Sequence, residues 1–113
     1  MERENRDNNE GKLAVADNDM VIILKKPVNF EGELYEKIDM TGLHDLKAAD
    51  MVAVNRRLYR NGNAAVTQEV TLEYALNVAN IVTGLPLEFF DQIPPQAALE
   101  IRGKVISFLF GQE

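Results

Sequence analysis

Hydrophobic positions recur at helical spacing through the second half of this chain and crowd into one β-branched run nearer its start. Leu72, Ala75, Leu76, Ala79 and Val82 trace one stripe of a helix, and Val78, Ile81 and Leu85 trace a second beside it. A helix apolar over so much of its circumference belongs at the centre of a domain. Thr83-Gly84 stops it, because glycine takes the left-handed conformation that closes a helix, and Pro86 just beyond cannot continue the hydrogen-bond ladder. The same Pro86 fixes φ for a short new turn over residues 87–91. Pro94 pushes Ile93 into extended backbone, and Pro95 suits the first position of a last helix whose Ala98, Ile101, Val105, Phe108 and Leu109 share a face.

Upstream, Met20-Val21-Ile22-Ile23-Leu24 is an apolar run bounded by Asp19 and by Lys25-Lys26-Pro27, as a short strand would be. Residues 29–33 form a turn with Gly32 available for positive φ, and residues 34–40 make a return strand. The pattern predicts a β-hairpin whose Val21, Ile23, Leu34 and Ile38 lie on the helices, since a lone hairpin is barely stable in water. Thr41 or Asp45 caps the next helix, which carries Leu43, Leu46, Ala49, Ala53 and Arg57 on one stripe, widened by Val54 and Leu58. Arg60-Asn61-Gly62-Asn63 ends it, and Thr67 or Thr71 caps the central helix. The expected fold is α+β: an N-terminal β-hairpin packed on a small bundle of three main helices plus a short helical turn.

Composition narrows the classes. At 113 residues the chain has room for one modest core, and 46% hydrophobic with 27% charged residues is ordinary for a globular domain. Residues 1–19 are rich in Asn, Asp, Glu and Arg and predict a disordered polar arm ahead of a domain over residues 20–113. No apolar run approaches the ~18 residues of a spanning helix, and the first residues lack the layout of a signal peptide. Zero cysteines remove disulfides, thiol nucleophiles and thiolate zinc sites together. A formal charge of −6 disfavours nucleic acid and anionic membrane as partners and leaves protein as the expected one.

The chemistry of catalysis finds few residues to work with. His44 is the one imidazole, and Asp39, Asp45 and Asp50 around it lack a metal-ligand spacing, so carboxylates serving helix starts are the simpler account. Gly103-Lys104 has none of the upstream glycines of a phosphate-binding loop. The Arg56-Arg57-Leu58-Tyr59-Arg60 run is short for a single-strand binder and reads as basic residues serving a helix C-terminus and nearby carboxylates. The expectation is a protein without catalytic residues, metal or cofactor. Binding is better supplied: Phe89, Phe90, Ile93, Phe108 and Phe110 gather near the C-terminal end, more apolar surface than a small domain readily covers. Phe89 and Phe90 are adjacent on a helical turn, about 100° apart, so one ring is expected inward and the other near the surface. These five residues form the candidate partner-binding set, with core packing the favoured account for most of the rings.

The order of the pieces is similar to a known family. A strand ending in Leu24-Lys25-Lys26-Pro27, a strand through Ile38-Asp39-Met40, a capped helix from about Asp45-Leu46, then Ile81-Val82-Thr83-Gly84-Leu85-Pro86, the turn over 89–93 and a final helix through Val105-Ile106-Ser107-Phe108-Leu109 resemble the phage tail assembly chaperones of the Mu-like prophage type. The likeness covers roughly residues 20–110, with the Thr-Gly-Leu-Pro element its most specific part; Pro94-Pro95 stands where family members usually carry a polar residue or Asp. The resemblance implies a non-catalytic protein of the host bacterial cytoplasm that binds the tape measure protein before the tail tube polymerises and is absent from the mature virion. It further implies a route to the tail tube protein through a frameshifted extension, and a homo-oligomer is compatible with it. The alternative is a structural tail adaptor or ring-forming virion subunit assembled through the hairpin edge.

Overall fold

The computed structural model describes residues 20–63 and 65–111; the predicted arm, residues 1–19, lies outside the described residues. Its architecture is α+β. An antiparallel hairpin, β1 (Val21–Phe30) and β2 (Glu33–Asp39), leads through a 3-10 turn (Thr41–Asp45) into helix α1 (Ala48–Arg60). A second 3-10 turn (Gln68–Val70) precedes α2 (Leu72–Thr83), the one-turn α3 (Leu87–Phe90) and the terminal α4 (Pro95–Phe110). Helix α2 packs against both α1 and α4, while α4 also meets β1.

The punctuation read from the sequence sits where stereochemistry requires it. Gly84 is left-handed at φ 78° and its N–H donates to the Asn80 carbonyl, closing α2. Pro95 opens α4, and the Thr71 hydroxyl accepts from the Tyr74 N–H at 3.1 Å as the cap of α2. The cap of α1 is different from the expected Thr41 or Asp45. Those residues belong to the separate 3-10 turn, and α1 starts after Lys47, whose N–H donates to Asp50 Oδ2 at 2.9 Å.

The hairpin turns tightly through Glu31 and Gly32, both at positive φ, as a two-residue loop between the paired Phe30 and Glu33 demands. Its strands run further than the apolar run alone suggested. Ile23 pairs with Lys37 and Val28 with Tyr35, so the four residues between them on β1 face only Glu36 on β2. Pro27 is tolerated inside this bulge, where the ladder is interrupted anyway. The bulge also corrects the predicted inward set. Ile22, Leu24, Val28, Phe30 and Ile38 are buried, whereas Ile23 (67% exposed) and Leu34 (58%) face outward. An apolar run without alternation does not disclose its own parity, and a one-residue slip exchanges the faces. On β2, Ile38 and the half-buried Tyr35 are three residues apart, on opposite faces by simple alternation, yet both meet the core. The twist at the bulge is what allows it.

The predicted helix stripes hold in part: α4 buries Ala98, Ile101 and Val105 of its face, and α2 buries Ala75, Val78 and Ala79 with Leu76, Val82 and Leu85 packed on the core. In α2 the buried side chains are Tyr74, Ala75, Asn77, Val78 and Ala79, while Leu72 and Ile81 are exposed. In α1 they are Val54 and Leu58, while Ala49 and Ala53 are exposed. Buried Asn77 is satisfied on both sides: its Nδ2 donates to the Glu73 carbonyl at 2.8 Å and its Oδ1 accepts from Arg57 Nη1 at 2.6 Å. That bond ties α1 to α2.

Tyr74 is fully buried and its hydroxyl has no hydrogen-bond partner among the described residues. Burial, with a smaller contribution from the Glu69 charge, raises its pKa from 10.0 to about 12. The folded state therefore holds the phenolic proton more tightly than the unfolded chain. The stability linked to it is fully present below pH 10 and is lost as pH rises toward about 12. We expect Tyr74→Phe to leave the unfolding free energy at neutral pH unchanged or raise it by about 1 kcal/mol, since an unmade buried bond is removed without changing the ring. Denaturant melts at pH 7 and at alkaline pH check both statements; a loss above ~2 kcal/mol at pH 7 would show that the hydroxyl has a partner after all.

Candidate partner-binding surface

The five residues of the candidate set divide between the interior and the end of α4. Phe89 and Phe90 are both buried, which corrects the expectation that one ring would point outward. Adjacent residues on a helical turn diverge by about 100°, but α3 is a single turn packed against α2, with the hairpin on its other side. Phe89 meets Phe30 at 5.7 Å between ring centroids, Tyr35 at 4.9 Å and Phe90 at 5.1 Å, all edge-to-face. Ile93 is buried too, on the extended link before Pro94. These three side chains hold the core and present no ready contact surface.

Phe108 and Phe110 remain outside, at 37% and 60% exposed. Phe108 lies edge-on to His44 at 6.1 Å between centroids, so the 3-10 turn and the last turn of α4 form one patch. Two hollows lie along α4 beside β1: one is lined by Met20, Gly103, Lys104 and Phe108, the other by Ile23, Lys25 and Leu99, and Glu100 borders both. Leu99 is 57% exposed on the outer side of α4. Sequence reasoning missed Ile23 and Leu99. Ile23 could not be assigned to the outside until the parity of β1 was known, whereas Leu99 already lay off the predicted face of α4, of which Ala98, Ile101 and Val105 are buried.

The polar candidates are occupied locally. Asp39 Oδ1 accepts from the Thr41 N–H at 2.9 Å and from the Thr41 hydroxyl at 2.7 Å, and the backbone bond is the main cause that holds this carboxyl below its usual range. Asp50 is engaged at the start of α1. Among the described residues, no three His, Asp or Glu side chains stand together as a metal site would need. Of the basic run, Arg57 bonds Asn77, in place of the carboxylates expected for it. Arg102 Nε donates to the Val70 carbonyl at 2.8 Å, anchoring α4 to the second 3-10 turn. A separate exposed patch on α1 combines Val52, Arg56 and Tyr59. No helix among the described residues is long and apolar enough to cross a membrane.

Compared with family models, with curated proteins and with solved structures, the chain has no match in any of the three.

Proposed function

We propose that this protein is a non-catalytic assembly chaperone of the phage tail type, acting in the bacterial cytoplasm, whose client is a tape measure protein held soluble until the tail tube forms around it. The observation that carries the reading is the pair of phenylalanines left exposed at the end of α4 on an acidic chain. The order of hairpin, capped helices, Thr-Gly-Leu-Pro element and terminal helix agrees with it. An exposed Phe108 beside a hollow along α4, with Phe110 exposed on the same last turn, suits an amphipathic client segment, which gains about 25 cal/mol for each Å² of apolar surface it hides. The net charge of −6 helps to keep such a complex in solution.

Co-expression with the long tape measure protein of the same tail gene cluster tests this. The wild-type chain captures the client and holds it in the soluble fraction, and the Phe108→Ala, Phe110→Ala double variant weakens capture by about tenfold or more while melting as wild type does. Capture unaffected by the double variant moves the contact surface elsewhere. No capture by folded wild type removes the client.

A further inference from the structure

The two strands of the hairpin carry opposite charge. The sheet has only these two strands, so the outer side of each lacks a ladder partner among the described residues, although the start of α4 lies beside β1. On β1, Lys25 and Lys26 stand exposed at the bulge, beside exposed Ile23. The hollow next to them adds Leu99 of α4, with Glu100 the one acid in its lining. On β2, Glu33, Glu36 and Asp39 are exposed, Glu31 stands in the turn, Lys37 is the one cation, and Leu34 is exposed among them.

Charged residues and proline on an edge strand usually guard it against pairing. Here the guard on each edge is largely of one sign. β1 against β1 of another copy sets lysine against lysine, and β2 against β2 sets carboxylate against carboxylate; like charges on neighbouring strands are destabilising. β2 against β1 joins unlike charges and brings Leu34 toward Ile23. Two of the three pairings are opposed and the third is favoured, which is how a surface selects one partner geometry.

We propose that this chain associates with further copies of itself head to tail, the acidic β2 edge of one copy adding as a strand beside the lysine-bearing β1 edge of the next. Such a contact uses two different surfaces, so it repeats from copy to copy and ends in a ring or continues as a filament. It leaves Phe108 and Phe110 outside the contact but covers Ile23 and the hollow beside Leu99, so it narrows the surface left to a client.

Sedimentation velocity on the full chain across a dilution series tests it. Wild type forms concentration-dependent oligomers that weaken as salt is raised. Lys25→Glu with Lys26→Glu, and separately Glu33→Lys with Glu36→Lys, each weaken association by about tenfold or more while keeping the wild-type circular dichroism. Mixing the two variants one to one restores association, because each supplies the edge complementary to the other. A wild type that stays monomeric throughout, variants that associate as wild type does, or a mixture no better than its components overturns the proposal. A monomeric chain that still captures its client overturns this contact alone.

Discussion

Replacing Phe89 with alanine lowers the unfolding free energy by about 3–5 kcal/mol, a large share of the roughly 5–15 kcal/mol that holds a domain of this size folded. The ring is fully buried and makes three edge-to-face contacts, with Phe30 of β1, Tyr35 of β2 and Phe90 beside it. It is therefore the point where the far half of the hairpin lands on the helices. Alanine leaves a cavity between elements that cannot all close on it, and each lost aromatic pair adds about 0.5–1.5 kcal/mol to the loss of buried area. Because a two-stranded hairpin is barely stable alone, the strands beyond the bulge should loosen first, and their amides should exchange faster than those of α2. Denaturant melts, with Phe110→Ala as the exposed comparison expected within about 0.5 kcal/mol of wild type, check the magnitude. A Phe89→Ala loss below ~1 kcal/mol would mean that the hairpin is not held through this ring.

That outcome also separates what could be read from the sequence from what could not. Gly84, Pro86, Pro95 and the positive φ of Gly32 within the turn over 29–33 were readable because the constraint lies in the backbone of the residue itself, whereas the positive φ of Glu31 was not. Facing was not. Residues 20–24 are apolar at every position, so nothing local distinguishes Ile22, which is buried, from Ile23, which is not. The apolar surface of α2 is broader than any one neighbour can cover, and only the positions of α1 and α4 decide that Tyr74 and Val78 go inward while Leu72 and Ile81 stay out. Phe89 and Phe90 follow the same rule, as a helix one turn long can be covered on two sides. Of the predicted surface, Phe108 and Phe110 are the residues left exposed, on the last turn of α4. The opposed charges of β1 and β2 were visible as composition, but their meaning depends on knowing that these strands are the two edges of one sheet.

Gly42 carries the second large effect, and its sign contrasts with that of another glycine in the same chain. A Cβ built on Gly42 would lie 2.6 Å from the Val82 carbonyl oxygen and 3.1 Å from Val82 Cβ. The first of these atoms is backbone, near the C-terminal end of α2, and cannot swing aside as a flexible side chain would. The 3-10 turn must then lift away from α2, carrying Met40 and Leu43, both fully buried, out of their places. Gly42→Ala is therefore expected to cost about 1–3 kcal/mol, through overpacking alone. Gly103 sits inside α4, and a Cβ there meets nothing within 4 Å. Gly103→Ala should stabilise the protein by about 0.5–1 kcal/mol, because alanine gives up less backbone entropy than glycine when a helix forms. Thermal melts of the two variants beside wild type should thus move in opposite directions. If Gly42→Ala melts at or above the wild-type temperature, the turn is not pressed against α2 and the close approach to Val82 is not a structural constraint.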